Sequence, residues 1–564
     1  MADKGPDRDR GCMHLRAGGF LIALSIAVGA LLLSGTRVDT VAPKFYDDDP
    51  IAREPETRDA SGVQPWDIPL AFDLGLNLFA HPGDQSDTRA QNVNTIDEVP
   101  DSSWFTNRIL ARTVSIDEAV RGPNTIDGPA PGKWTVITAK TAGAAPGFTI
   151  RDRDGVVWFV SFDGAGHRDA ATGAIAVATR LFWALGYYQV EAYLTTLAVE
   201  NLELGESAQV TPPSGRRRQM RVSDLEDVAA RADREADGRY RILASRAVPG
   251  KPLGGFRYHG TRPDDPNDVV PHEHRRELRA LKVFGAWTNL VDMKAGNTLD
   301  SLIQENGRSV VRHYLQDVGS TFGTGALAPR EWDEGYEYLF EGNKVWKRFY
   351  TLNFSLSPWQ TVPYEEYAAI GRFEGDEFKP EEWKSRVPAA AVLRARADDN
   401  FWAARRVMAF SDELIRAIVK TGQYHDSAAE RHLAEVLIKR RDAIGRAYFT
   451  AINPLVDFTL DGGALRFENA AVKAALAPAP SGGYRVAWFS FDNATGQTQP
   501  LGAPQTAAGS PVQAPPGVVS SNGAFIQAQI AAVDPPHPAW AAPVHVTFRR
   551  VSGAWKLVGV ERVP

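Results

Sequence analysis

Residues 17–35, AGGFLIALSIAVGALLLSG, carry no charged side chain, and no other feature restricts this chain as strongly. A helix of that length matches the roughly 30 Å of hydrocarbon in a bilayer, so the run is predicted to be a transmembrane anchor. Arg8, Arg10 and Arg16 precede it. Asp3, Asp7 and Asp9 offset them in number, but acidic residues weigh little in setting orientation. The expected topology has residues 1–16 as a cytoplasmic tail and the body outside, on the periplasmic side of a cell envelope. The rival reading is a cleaved signal segment, which needs small residues at both key cleavage positions, and LLLSGT puts leucine at one of them. The single cysteine, Cys12, lies ahead of the run, so the body has no disulfide and no thiolate metal site.

The rest of the chain is ordinary globular material, 43% hydrophobic and 23% charged, with enough length for several cores. Lysine and arginine number 63 against 69 aspartates and glutamates, a net charge of -6 that speaks against a nucleic-acid partner. Residues 36–130 are rich in Asp, Pro and Asn with no sustained period, and read as an irregular lead-in. From Trp134, the runs WTVITAK, FTIRD and VVWFVSF, joined by TAGAAPG and RDRDG, predict a small antiparallel sheet. AATGAIAVATRLFWAL then has the apolar spacing of a helix, stopped by Gly186. The charged stretch 215–240 predicts an exposed helical insertion, and HEHRRELRALKVFGAWTNL a helix. After about Pro454, YRVAWFSFD, AFIQAQIAAV, VHVTFRR and WKLVGVERV predict a separate all-β module.

The stretch that bears chemistry is NLVDMKAGN followed by YLQDVGS. It sets Asp292, Lys294 and Asn297 at D-x-K-x-x-N spacing, with Asp317 in an Asp-x-Gly after a strand-like run. Phosphoryl transfer needs a carboxylate to take the hydroxyl proton and oxygen ligands for magnesium beside the phosphates. Asp292, Asn297 and Asp317 are of the right types; Asp and Asn also favour turns, which is the plainer account of two of them. His272 and His274 in HEHRREL have no third ligand in the sequence and fall on different sides of a helix, so they make a poor metal pair.

With KTAGAAPGF as a phosphate-covering hairpin, ILASRAVPGKPLG as a hinge, NLVDMKAGN as a catalytic loop and YLQDVGS as a metal loop, residues 134–453 resemble the HipA-like and related atypical protein kinases, in particular an exported bacterial branch. The resemblance implies an α+β, bilobal, protein-kinase-like body. A small β-rich lobe would occupy 131–250, a larger helical lobe 251–453 and the C-terminal all-β module 454–564. It implies ATP and Mg in the cleft. Asp292 and Lys294 would be catalytic, Lys140, Gly143 and Gly147 would hold the nucleotide, and Asn297 and Asp317 would hold the metal. The acceptor would be a protein or small-molecule hydroxyl.

Two positions depart from that pattern. The strand after the hairpin carries Ser161 where such kinases have a phosphate-holding lysine, and the following helix offers Ile175 where its glutamate partner is expected. Lys140, at the end of the first strand, is the candidate replacement, with Arg151 second. Two readings follow: a membrane-anchored kinase that transfers phosphate from a nucleotide to a hydroxyl, or a catalytically silent kinase-like module that binds a ligand or partner at the envelope. An envelope location also separates the site from cytoplasmic ATP.

Overall fold

The computed structural model describes residues 42–562 except 141–144, 213–214, 326–327, 330–333, 352–356, 517 and 519–521. The predicted anchor at 17–35 and Gly143 lie outside the described residues. Among the described residues, no helix is long and apolar enough to cross a membrane. The chain divides into two compact units, Met1–Lys44 with Asp492–Gln497, and Phe45–Phe491 with Thr498–Pro564. In the first, Asp492 accepts the backbone N–H groups of Ala494 and Thr495 and so holds a tight turn. The second is described from here on.

Its lead-in contains a ten-residue helix, α1 (Leu70–Phe79), and a short one at Ile116–Arg121. The sheet beyond it is larger than the three predicted strands. It has seven, β1 (Trp134–Ala139), β2 (Gly147–Arg151), β3 (Val157–Phe162), β4 (Ala192–Leu197), β5 (Leu202–Val210), β6 (Arg218–Gln219) and β7 (Tyr240–Arg246), in the order β4-β7-β3-β2-β1-β5-β6. All neighbours are antiparallel except the pair β1 and β5. The hairpin turn RDRDG forms because Asp152 accepts the N–H groups of Asp154 and Val156 as well as the indole N–H of fully buried Trp158. Gly147 is required by space: a Cβ there would come within 2.2 Å of the Val160 carbonyl oxygen on β3.

Helix α2 (Ala170–Leu185) follows β3 as the apolar spacing predicts, and Gly186 ends it at φ 125°. Its first turn is capped from outside. The Asp163 carboxylate accepts the N–H groups of Asp169, Ala171 and Thr172 and the Thr172 hydroxyl, satisfying donors that a helix start leaves open. The charged stretch 215–240 is not one exposed helix. It gives β6 and a short helix, Val222–Ala229, that buries Leu225, Val228 and Ala229 in the core of the seven-stranded sheet, because its apolar residues recur at helical spacing among the charges.

The hinge stretch runs from β7 into β8 (Lys251–Gly254), which joins β9 (Leu299–Glu305) and β10 (Arg308–Tyr314) in a second, three-stranded sheet. HEHRRELRALKVFGAWTNL is broken rather than continuous: a 3-10 turn at His272–His274, a single turn at Arg276–Arg279, and α3 (Leu281–Thr288). Its charged residues from His272 to Arg279 are buried because the lead-in packs over them on one side and residues 398–399 on the other. Arg276 pairs with Asp97 at 2.7 Å, Asp398 at 2.7 Å and Asp399 at 2.9 Å; Arg275 pairs with Glu54 at 3.1 Å and His274 with Asp84 at 3.0 Å. The lead-in is thus irregular in backbone but firmly packed.

Helices α4 (Gly342–Tyr350), α5 (Ala397–Met408), α6 (Asp412–Lys420) and α7 (Ser427–Thr450) complete the helical part. The C-terminal strands pair as the alternation predicts, 484–491 with 525–532, 525–532 with 544–551, and 544–551 with 554–562. Their apolar faces do not close a core of their own. One continuous cluster runs from Leu433 and Tyr448 on α7 to Val486, Ile530 and Val546, and the Trp540 indole donates to the Phe449 carbonyl.

Candidate active site

The two loops picked out by spacing meet. Asn297, in a 3-10 turn after Lys294, donates its side-chain N–H to the Asp292 carbonyl at 2.7 Å. The Asp317 backbone N–H donates to the Asn297 carbonyl at 3.0 Å, and the Gly319 N–H donates to Asp317 Oδ1 at 3.0 Å. The loop of Asp292 is therefore stitched to the loop of Asp317 through Asn297. Lys294 Nζ donates to Asp292 Oδ2 at 2.8 Å, and Arg386 Nη1 lies 3.7 Å from Asp292 Oδ1.

Burial would raise the Asp292 pKa. The hydrogen bond and charge of Lys294, then Arg386 and Asn297, outweigh it and hold the carboxyl below its ordinary value. Spacing alone gave no sign of Arg386, which follows Asp292 by almost a hundred residues. It arrives because its N–H donates to the Val291 carbonyl and because Glu334 holds its other guanidinium nitrogen.

On the sheet side, Gly147 lies opposite Ser161 in the β2–β3 register, and its carbonyl accepts the Lys140 N–H at 2.9 Å. Lys140 Nζ donates to Ser161 Oγ at 3.3 Å. The residue as a whole is exposed, yet protein surrounds the ammonium closely enough that burial lowers its pKa, with the nearby Asp317 charge opposing. Arg151 is at the far end of β2, in register with Thr135 and Val157, away from Ser161. Ile175, on α2, packs where a carboxylate was sought: a Cβ added to Gly319 would lie 2.9 Å from Ile175 Cγ1 and 3.2 Å from Asp317 Oδ1.

No family model matches the chain, and no curated protein matches it significantly. Among solved structures, Golgi casein kinase is weakly similar. Its crystal structure with Mn/ADP bound aligns at a TM-score of 0.28 and 10% identity over 58% of this chain and 76% of that one. A second crystal structure of the Golgi casein kinase aligns at a TM-score of 0.28 and 10% identity over 72% of this chain and 97% of that one. A TM-score this low carries no inference about chemistry.

The donor set suits magnesium better than a transition metal. Asp317 keeps one carboxylate oxygen clear of the Gly319 bond, and the Asn297 side chain commits its N–H to Asp292 and leaves its Oδ1, so both offer hard oxygen ligands. Among the described residues, no group of three or more His, Cys, Asp or Glu is placed to hold a metal. His272 and His274 are taken up elsewhere, by Asp268 and the Arg257 carbonyl, and by Asp84 and Arg279. Two clefts are lined in part by other segments: one of about 600 Å³ by Tyr336, Trp359 and Trp383 together with Asn289 at the start of the NLVDMKAGN loop, the other of about 480 Å³ by Thr196, Arg239 and His425.

Proposed function

We propose that this chain is a membrane-anchored, kinase-like phosphotransferase of the HipA-like kind, held at a cell envelope through residues 17–35, which moves phosphate from a nucleotide to a hydroxyl acceptor. The observation that supports it best is the linkage of the two sides: Lys140, bonded to Ser161, feels the charge of Asp317, and Asp317 is tied through Asn297 to Asp292. In this reading Asp292 accepts the acceptor's hydroxyl proton, for which its depressed pKa keeps it ionised. Lys140 faces the phosphates in place of the lysine absent at Ser161. Lys294, already paired with Asp292, turns toward the transferring group when the acceptor arrives. Asn297 and Asp317 would hold magnesium, which when bound would neutralise charge on the phosphates.

A thermal-shift measurement on the full chain with ATP and magnesium tests binding, since ligand at 100 times its dissociation constant adds about 2.7 kcal/mol. Transfer of radiolabelled phosphate in wild type and Asp292→Ala then tests chemistry. Labelling equal in both removes Asp292 from the mechanism.

The second reading, a catalytically silent module that binds a ligand or partner, is favoured by one contact. Ile175 sets apolar surface against Gly319, beside Asp317, where a kinase's glutamate would pair with the phosphate-holding lysine. Absence of any nucleotide shift at millimolar ATP supports this module over the enzyme.

A further inference from the structure

Helix α1, LAFDLGLNLF, is inside out. A helix in water buries its apolar stripe and shows its polar one. Here the buried residues are Asp73 and Asn77, one turn apart, while Leu70, Phe72 and Phe79 are 50%, 64% and 66% exposed. Asp73 faces Arg257 at 3.5 Å, the polar side's contact with the body, and Asn77 donates back within the helix to the Asp73 carbonyl at 2.7 Å. The apolar side continues onto a second element. The Phe79 ring meets that of Phe340 at 5.1 Å. Leu339 and Phe340 are exposed and lead into α4, in which no residue is buried and Val345, Trp346, Phe349 and Tyr350 all face water. Nine of the sixteen large apolar side chains exposed among the described residues therefore lie on these two elements, which meet at Phe79 and Phe340, and exposed apolar patches mark partner or membrane contacts.

Chemistry favours a bilayer as the occupant. On α4 the aromatic residues Trp346 and Tyr350 alternate with Lys344, Lys347 and Arg348, the mixture that lies at the boundary between headgroups and acyl chains. Lys344 and Arg348 also pair with Glu337, at 3.0 and 2.8 Å, whereas Lys347 makes no ion pair among the described residues. In the anchored reading proposed above, on which this point rests, the uncharged run 17–35 supplies a bilayer as well, separated from α1 only by residues 36–69. The surface also adjoins the catalytic-loop sequence: a Cβ at Gly296 would lie 3.1 Å from Leu70 Cδ1.

We propose that α1, Leu339, Phe340 and α4 form a membrane-docking face that seats in the surface of an anionic bilayer and holds the loop containing Gly296 beside it. This docking does not depend on phosphate transfer.

The test uses the full chain reconstituted in phosphatidylcholine–phosphatidylglycerol vesicles. With Cys12→Ser as background, an environment-sensitive fluorophore is attached at Trp346→Cys, and at Arg153→Cys on the exposed β2–β3 turn as control. Lipid spin-labelled near the top of its acyl chains is expected to quench the probe at position 346 several-fold more than the probe at 153. Phe72→Asp combined with Phe79→Asp, both exposed and so dispensable to folding, is expected to reduce that difference. Equal quenching at 346 and 153 overturns the proposal. Blue-shifted emission at 346 without lipid quenching also overturns it, and assigns the surface to a second copy, another protein or this chain's own N-terminal segment.

Discussion

Lys140 Nζ lies 3.3 Å from Ser161 Oγ, so the ammonium at the end of β1 reaches the very position on β3 where a kinase of this pattern would carry its own lysine. Arg151, at the other end of the hairpin, does not. Burying phosphate charge without a facing cation leaves it uncompensated. Lys140→Ala is therefore expected to weaken nucleotide affinity by about tenfold or more, which corresponds to roughly 1.4 kcal/mol, and Arg151→Ala by much less. Ser161→Lys is expected to be tolerated or to tighten binding. Titration calorimetry with ATP and magnesium checks all three; affinity unchanged in Lys140→Ala removes the replacement lysine.

The same lysine predicts a pH dependence. Burial lowers its pKa more than Asp317 raises it, so the ammonium loses its proton at a lower pH than an ordinary lysine does. Nucleotide affinity is expected to be full below that lowered value and to fall as pH rises through it. Lys140→Arg keeps its charge throughout, so its affinity should stay flat over the same range. A parallel decline in the arginine variant would place the titrating group elsewhere.

Asp292 is tied to Lys294 and approached by Arg386, and its carboxyl stays below the ordinary range. Asp292→Asn is expected to lower phosphate transfer by roughly 100-fold or more while leaving nucleotide affinity within a few-fold. Single-turnover transfer measured beside equilibrium binding separates these effects. A loss of binding equal to the loss of transfer would make Asp292 a structural residue.

Arg276 is fully buried between Asp97, Asp398 and Asp399 and joins the lead-in to helix α5. Without it Asp97 keeps Arg89, Asp398 keeps Arg396 and Asp399 keeps Arg279, so the expected cost is up to the about 3–5 kcal/mol of breaking a buried pair. Arg276→Met should lower the urea midpoint accordingly, and a change below 1 kcal/mol would show that water reaches the cluster.

His259 is pushed down to about 4, first by burial and then by the positive charge of Arg257, with Glu273 opposing. An unfolded histidine titrates near 6.5. Between those values the unfolded chain takes up a proton that the folded chain refuses, so stability is expected to fall as pH drops from about 6.5 to about 4. His259→Gln should flatten that part of the profile, as read from urea unfolding at a series of pH values.

The elements legible in the sequence are those whose signal is local. The alternation in WTVITAK, FTIRD and VVWFVSF specifies three strands because one face of each must be buried, and the apolar spacing of residues 170–185 with Gly186 after it specifies α2 because both ends are set by nearby groups. The D-x-K-x-x-N spacing likewise ties Asn297 to Asp292, since five residues of backbone are short enough for the amide to reach the Asp292 carbonyl.

What the sequence could not decide depends on partners far along the chain. HEHRREL has the charge of a solvated helix, yet it is buried, because Glu54, Asp84, Asp97, Asp398 and Asp399 come to it from segments on either side. Arg386 reaches Asp292 only once Val291 and Glu334 hold it. The C-terminal strands look self-sufficient by alternation, but alternation says which face is buried and not against what, and here that face packs on α7. Helix α1 is the sharpest case. Its residues lie in a stretch that reads as an irregular lead-in, yet they form a helix whose Asp73 and Asn77 the tertiary structure turns inward, Asp73 toward Arg257, and whose phenylalanines it turns out.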